Sequence, residues 1–178
     1  AIWGYEGRGR TASALKLMAL LFPRPGELRK AEWSEIDFNT STWTIPAERM
    51  KMRREHRKPL PPAALHVLLD LRSMVDPVGL VFPATTNPSR PISENTMNLA
   101  LQRLGFPGDE MTPHGFRASA STFLNESGRW NPDAIEAELA HTGTNRTRSI
   151  YNRALYWSER TAMMHWWSGE VLRCTNES

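Results

Sequence analysis

The chain has 178 residues, of which 40% are hydrophobic and 23% are charged, so it is long enough to bury the core of one domain. Its best apolar run, residues 12–22, contains Lys16 and is about half the length of a transmembrane helix, which excludes a helical membrane span. The net charge is +3 and Cys174 is the one cysteine, so an internal disulfide is excluded and a reducing, cytoplasmic location is expected.

Apolar residues at helical spacing, together with capping and helix-ending residues, predict a mainly helical chain. Short polar loops rich in Pro, Gly and Asn separate the predicted helices. These helices cover residues 11–22, 25–33, 63–74, 93–104, 114–125, 132–140, 145–155 and 158–172. Thr11, Ser93 and Asn131 are the expected N-caps of the first, fourth and sixth helices.

A small sheet is predicted between the second and third helices. Residues 37–41 have the composition of a turn, and residues 43–45 fit a short strand that ends at Pro46. Two short strands joined by a turn fit the basic stretch 51–58, with Pro59 at the end of the second strand. The predicted fold class is therefore α+β, mainly α with a small antiparallel sheet.

The domain organisation is expected to be simple. Residues 1–178 are predicted to form a single domain with a disordered polar tail over 173–178. The start at Ala1 instead of Met suggests a fragment of a longer protein, and it carries no secretory signal.

Two basic clusters indicate an anionic partner. Six cations and one acid, Glu55, lie between residues 49 and 58, and a second cluster surrounds Tyr151. A solvated surface explains either cluster alone, but two clusters beside chemically capable residues favour phosphate binding. The expected DNA contacts are Arg49, Arg53, Arg54, Arg146, Arg148 and Arg153.

Three separated motifs and one lysine suit the transesterification of a phosphodiester. Negative charge gathers on the phosphate oxygens in the transition state, and arginine can donate two parallel hydrogen bonds to them while staying charged. The leaving 5′-oxygen needs a proton donor such as Lys or His, and a tyrosine hydroxyl can form a phosphoester without metal or nucleotide. The candidates are Arg24, Lys51, His114, Arg117, His141 and Tyr151.

The order of these motifs resembles that of the tyrosine recombinases, and in particular of the P4-like prophage and genomic-island integrases. The resemblance extends from about residue 11 to about residue 171. The motifs that carry it are RPGEL at 24–28, ERMKMRR at 48–54, TPHGFR at 112–117, LAH at 139–141 and YNRA at 151–154. The resemblance implies the tyrosine recombinase catalytic-domain fold.

The resemblance implies how the scissile phosphate is held. Arg24 and Arg117 would bind its oxygens from two sides. His141 would bond a non-bridging oxygen, and Glu27 would occupy the acidic position that supports the arginines.

It also implies how protons and the nucleophile are supplied. Lys51 would be the general acid towards the leaving 5′-oxygen, and His114 would contact the phosphate and assist proton transfer with the tyrosine. Tyr151 would attack and leave a 3′-phosphotyrosyl link with a free 5′-hydroxyl. Tyr5 and Tyr156 are competing tyrosines, but the spacing from His141 favours Tyr151.

As a member of such a family, the protein would integrate or excise a prophage or genomic island in the bacterial cytoplasm, associated with the nucleoid. Its partners would be double-stranded DNA, three further copies in a tetramer on DNA, an excisionase and a DNA-bending host factor. No membrane, metal or cofactor would be needed. The isolated fragment is expected to be monomeric. The DNA-binding domains that the resemblance implies before this domain are not in the sequence, so recombination is expected of the full-length protein.

Two other interpretations remain open from the sequence. A catalytically inactive DNA-binding remnant would keep the motifs without forming a covalent adduct, and a type IB topoisomerase-like enzyme would use a similar set of residues. A metal-dependent nuclease is disfavoured, because the chain has no carboxylate cluster and its histidines lack paired ligand spacing. Met163, Trp166, Trp167 and Val171 form an apolar stripe that suits the core of this domain or, as the resemblance implies, a neighbouring protomer.

Overall fold

The computed structural model describes residues 1–7, 9–50, 53–74, 77–141 and 156–176, and the elements named below lie in those ranges. The α-helices are α1 (Gly9–Leu21), α2 (Pro25–Arg29), α3 (Pro62–Met74), α4 (Thr96–Arg103), α5 (Pro113–Glu126), α6 (Pro132–Glu138) and α7 (Trp157–Asn176). The strands are β1 (Ile36–Asp37), β2 (Thr42–Ile45) and β3 (His56–Pro59), paired antiparallel in that order. The predicted class, mainly α with a small antiparallel sheet, is confirmed.

Several helix boundaries differ from the predicted ones. α1 begins at Gly9, so Thr11 lies buried inside the helix instead of capping it. α4 begins at Thr96, and Ser93 instead hydrogen bonds through its hydroxyl to the hydroxyl of Thr96 at 2.9 Å. α2 ends at Arg29, four residues before the predicted end.

The last helix, α7, is longer than predicted. It continues to Asn176, so residues 173–176 are helical where a disordered tail was expected. Polar side chains stabilise this end, because Arg173 pairs with Glu170 one turn earlier and Thr175 Oγ1 donates to Leu172 O at 2.6 Å. The predicted helix over 145–155 lies outside the described residues.

α1 is the central element of the core. It packs against α3, α4, α5 and α7, and its side chains from Ala14 to Leu21, apart from Lys16, are buried. A helix surrounded in this way is apolar on most of its faces. Trp167 of α7 donates its indole N–H to Ala19 O at 2.9 Å and meets Phe22 edge-on at 5.8 Å. The stripe on α7 therefore contributes Met163 and Trp167 to the core of its own domain.

The chain leaves α1 through a left-handed residue. Phe22 has φ 38° and is fully buried, and Pro23 follows it directly. Proline cannot continue the helix, since it lacks an N–H and clashes with the preceding turn. This sharp exit places Arg24 at the start of α2, above the end of the core helix.

The sheet carries the basic segment on one of its loops. β2 and β3 pair from Thr42 opposite Pro59 to Ile45 opposite His56, so residues 46–55 connect them. Pro59 ends β3 as predicted. Side chains alternate between the two faces of a strand, and accordingly His56 and Lys58 are buried while Arg57 is exposed.

A buried ionic cluster joins β3, α6 and α7. Glu138 is 0% exposed, and its carboxylate accepts from Lys58 Nζ and, at 2.8 Å, from Arg160 Nε. Lys58 and Arg160 are each 1% exposed. Burial lowers the pKa of Lys58, although the carboxylate of Glu138 opposes that shift. One carboxylate thus holds two buried cations.

The end of α6 has a second left-handed residue. Ala140 has φ 47°, and the turn it makes lets His141 N–H donate to Glu136 O at 3.0 Å. A side chain with a Cβ is strained in this conformation, which glycine adopts freely. Ala140 is therefore a strained residue directly before a candidate catalytic histidine.

We predict that Glu138→Gln lowers the free energy of unfolding by about 3–5 kcal/mol, because it leaves two cations buried without a counter-charge. Lys58→Met is expected to lower the free energy of unfolding by at least about 2 kcal/mol less than Glu138→Gln does, since Arg160 still pairs with Glu138 in that variant. Urea denaturation followed by circular dichroism measures both values. Equal losses in the two variants would show that the carboxylate does not hold the cluster together.

We also predict that Ala140→Gly raises the free energy of unfolding by about 0.5–1 kcal/mol, because glycine relieves the strain at φ 47°. The matched control is Ala118→Gly, at an exposed position inside α5, which is expected to lose about 1 kcal/mol. Thermal unfolding of both variants gives the comparison. A destabilised Ala140→Gly variant contradicts the assignment of strain.

Candidate active site

The C-terminal end of α6 gathers donors from β3. The last carbonyls of a helix have no partner within the helix. Glu138 O accepts from His56 Nε2 at 3.1 Å and from Lys58 Nζ at 3.3 Å. The end of α6 is thus fixed to the strand that follows the basic loop.

The next two carbonyls accept from the two candidate arginines. Leu139 O accepts from Arg117 Nη2, and Ala140 O accepts from Arg24 Nη2 at 3.4 Å. These side chains come from α5 and from the start of α2, and the bond from Arg24 to Ala140 O joins residues 116 positions apart. Arg24 and Arg117 therefore both bind the segment that directly precedes His141.

Arg24 is held by a single buried carboxylate. Its backbone N–H donates to Glu27 Oε2 at 2.9 Å, and its Nη1 donates to Glu27 Oε1 at 2.7 Å. Glu27 is 6% exposed, whereas Arg24 is 26% exposed. Pro25 at the first helical position keeps Arg24 extended, with ψ 140°. The predicted pairing of Glu27 with this arginine is present in the structure.

Arg117 lies on the second turn of α5. Its Nη1 donates to Phe22 O at 3.3 Å. Phe22 is the left-handed residue at the end of α1. Leu139, whose carbonyl also binds Arg117, directly precedes Ala140, the left-handed residue at the end of α6. Burial and then the nearby cation of Arg24 lower the pKa of Arg117. Two arginines that repel one another in a partly buried place form a site that an anion stabilises.

His141 follows Ala140, and its ring pairs with a carboxylate. Its Nδ1 lies 2.9 Å from Glu136 Oε2, and both residues are nearly half exposed. An ionised carboxylate only accepts, so Nδ1 is the donor in this pair. The opposite ring nitrogen, Nε2, makes no hydrogen bond to the described residues.

His114 is exposed near the N-terminus of α5, one turn before Arg117. Thr112 caps this helix by accepting from Gly115 N–H at 3.3 Å. His114 lines a cleft of about 380 Å³ together with Pro25 and Gly26 at the start of α2. The histidine therefore stands beside the segment that begins with Arg24.

Arg49, at the start of the basic loop, is less available to a ligand than the sequence indicates. Arg49 donates to Lys30 O, to Glu35 and, at 3.4 Å, to Glu27 O, so its Nη atoms are used inside the protein. Burial raises the pKa of Glu35, although the hydrogen bond from the Trp43 indole N–H and the charge of Arg49 act to lower it. A DNA contact through Arg49 stays a prediction that these bonds do not favour.

Arg53 is exposed with φ 48°, and Arg54 is half-buried. Their predicted DNA contacts stay predictions. Several other candidates lie outside the described residues. They are Lys51, Arg146, Arg148, Tyr151 and Arg153.

Sequence reasoning missed two groups of residues that shape the site. His56, Lys58 and Arg160 fix the end of α6 through Glu138, although Lys58 reads as one more surface cation in the sequence. The alternation of a β-strand places positions 56 and 58 on one face and was the available signal. Glu136 had a signal as well, because it lies five residues before His141 on a short helix that ends between them.

Among the residues described, no group of His, Cys, Asp or Glu has the arrangement of a metal site. No helix in the same ranges has the length and apolar character that crossing a membrane requires.

The chain is similar in sequence to integrases of phages and prophages. It is 45% identical over 152 residues to prophage integrase IntA of Escherichia coli (strain K12), covering 85% of this chain and 36% of that protein. It is 40% identical over 178 residues to the integrase of Enterobacteria phage P4, covering 92% of this chain and 40% of that protein. The chain thus spans less than half the length of these relatives.

The fold is similar to that of solved recombinases. The integrase from mycobacterium phage Brujita superposes with a TM-score of 0.69 at 18% identity, covering 92% of this chain and 53% of that one. XerA recombinase gives 0.60 at 18% identity, covering 89% and 60%. The Tn1549 transposon integrase, in complex with circular intermediate DNA, gives 0.60 at 15% identity, covering 85% and 55%.

These likenesses confirm the predicted tyrosine recombinase fold. The sequence model of the phage integrase family matches residues 6–157, which is most of the length of the chain. The chain belongs to the phage integrase family.

Proposed function

We propose that the protein carrying this chain is a site-specific recombinase that integrates or excises a prophage or genomic island. It cuts and rejoins duplex DNA through a 3′-phosphotyrosyl intermediate on Tyr151. The observation that carries the proposal is the convergence of Arg24 and Arg117 on the carbonyls before His141. Two fixed, mutually repelling arginines beside a histidine suit the charge of a phosphodiester in its transition state.

The reaction follows from the roles of the individual side chains. The hydroxyl oxygen of Tyr151 attacks the scissile phosphorus, and His114 assists removal of its proton. The bond from phosphorus to the 5′-oxygen breaks, and Lys51 gives that oxygen a proton. The free 5′-hydroxyl of another strand then attacks the phosphotyrosine and restores the tyrosine, so no metal or nucleotide is consumed.

Arg24 and Arg117 are suited to hold the phosphate because their other N–H groups are already fixed. Glu27 and the backbone carbonyls occupy part of each guanidinium and restrict its orientation. Donors fixed in advance need no reorganisation when charge develops on the phosphate oxygens.

The partners in this proposal are double-stranded DNA and further copies of the protein. The solved Tn1549 integrase is in complex with circular intermediate DNA, which supports a DNA partner for a chain of the same fold. A homotetramer on DNA, an excisionase, a DNA-bending host factor and a cytoplasmic location at the nucleoid belong to the proposal as well. Arg146, Arg148 and Arg153, near Tyr151 in the sequence, are its DNA contacts together with Arg53 and Arg54.

We predict that the full-length protein forms an SDS-resistant adduct with a nicked suicide substrate that carries its core site, in the presence of a chelator. Tyr151→Phe is expected to abolish the adduct, because the variant has no nucleophilic oxygen at that position. The matched control is Tyr156→Phe. The Tyr156 hydroxyl accepts from the side-chain amide of Asn131 at 3.5 Å, and this variant should leave the adduct intact.

Other outcomes identify the alternatives. Site binding without an adduct in the wild type identifies a DNA-binding remnant. Relaxation of supercoiled plasmid without site preference identifies a topoisomerase-like enzyme. Loss of the adduct in Tyr156→Phe but not in Tyr151→Phe identifies Tyr156 as the nucleophile instead of Tyr151.

We further predict that Arg24→Lys slows adduct formation by about 100-fold, because lysine keeps the charge but not the two parallel donors. Arg29→Lys is the matched control on the same helix. Arg29 donates to Ile92 O at 2.7 Å and to Glu94 at 2.8 Å, so its guanidinium is held by groups other than those that hold Arg24 and Arg117, although it borders the cleft that His114 lines. Rates are measured below the melting temperature of each variant. Equal slowing in the two variants would contradict a phosphate contact by Arg24.

A further inference from the structure

Glu136 is a carboxylate beside the proposed phosphate site that has no role in the reaction described so far. It lies on α6, and its Oε2 is 2.9 Å from His141 Nδ1. Its backbone carbonyl also accepts from His141 N–H at 3.0 Å. Glu136 therefore fixes both the backbone and the imidazole ring of His141.

This pairing determines which ring nitrogen is offered to a ligand. A carboxylate on Nδ1 requires the hydrogen to be there, and which nitrogen of a histidine carries hydrogen is set by the partner of the other one. Nε2 lies across the ring and has no hydrogen bond to the described residues. Because Nδ1–H is engaged by Glu136, Nε2 is the ring nitrogen left for a phosphate oxygen.

The exposure of His141 makes such a restraint necessary. The ring is 46% exposed, so little packing restricts its rotation. Its neighbour Ala140 is fixed through the bond from Arg24 to the Ala140 carbonyl. Arg24 thus holds the backbone directly before His141, while Glu136 holds the imidazole ring of His141.

We propose that Glu136 is a positioning residue that orients His141 so that Nε2 faces the scissile phosphate during cleavage. The proposal rests on the proposed function, because it gives His141 a phosphate to bind. Glu136 does not touch the DNA. Its direct contact in the site is with the imidazole of His141, and its negative charge also stabilises the nearby cation of Arg117.

A stability role is separable from this one. Ion pairs between exposed groups contribute little to stability, so Glu136→Leu should leave the melting temperature close to that of the wild type. The cleavage rate is the quantity that should change, and it should change only while His141 is present.

The test is a double-mutant cycle on the rate of adduct formation by the full-length protein. Glu136→Leu is expected to slow cleavage about tenfold, as loss of a ligand-orienting partner commonly does. Glu136→Gln should recover to within about threefold of the wild type, since the amide oxygen still accepts from Nδ1. In a His141→Ala background, Glu136→Leu should change the rate by less than about twofold.

Glu126→Leu is the control, at an exposed carboxylate on the far end of α5 from His114, and it should leave the rate unchanged. A tenfold effect of Glu136→Leu that persists without His141 overturns the proposal. So does a wild-type rate in Glu136→Leu.

A second measurement separates this inference from the function on which it rests. Long-range proton–nitrogen spectra of the full-length protein report the hydrogen on each ring nitrogen of His141 without any DNA. We expect hydrogen on Nδ1 in the wild type and its partial transfer to Nε2 in Glu136→Leu. Unchanged spectra refute the pairing. If the spectra change as expected but the wild type forms no adduct, the pairing stands and the recombinase function fails.

Discussion

The backbone carbonyls at the end of α6 hold the candidate active site together. A helix of seven residues ends there, and its last carbonyls need partners from elsewhere. Glu138 O takes donors from β3, while the two carbonyls after it take one arginine each. Three of these partners, Lys58, Arg117 and Arg24, are cations, which the negative end of a helix dipole favours. The same interactions that complete the helix therefore bring together Arg24 and Arg117, the two arginines proposed to bind the phosphate.

The position of that helix end depends in turn on a buried carboxylate. Glu138 pairs with Lys58 and Arg160 away from water, so β3, α6 and α7 are joined by charge as well as by apolar packing. Removing one partner of a buried group of charges is costly, which makes its geometry well defined. The strand that follows the basic loop and the helix that follows residue 151 are consequently fixed to the same point. Both elements therefore contact the residue that directly precedes the two carbonyls bound by the arginine pair.

The fold class and the position of Glu27 beside Arg24 could be predicted from the sequence, whereas the groups that hold the end of α6 could not. Arg24 and Glu27 lie at the start of α2 and Arg117 lies near the start of α5, because Pro at the first position of a helix is a local start signal. Arg49 and Lys58 look like their exposed neighbours in the sequence, and the difference arises from which carbonyls and carboxylates the tertiary fold brings near them. The tail was mispredicted for the related reason that polar residues can extend a helix whose other end is buried. Side-chain partners far apart in the chain leave no local pattern.

The bond from Trp167 to Ala19 joins residues 148 positions apart and has a consequence for how the protein is made. Contacts between distant residues form late, because the intervening chain must first be closed into a loop. During synthesis on the ribosome, α1 is complete long before α7 emerges to cover it, and its apolar surface stays exposed in that interval. Arg24 is already present in this nascent chain, but Ala140 and Arg117 are not, so the arginine pair does not exist. A partly synthesised chain thus lacks the proposed phosphate site, and its apolar surface is exposed to chaperones and proteases until α7 has docked.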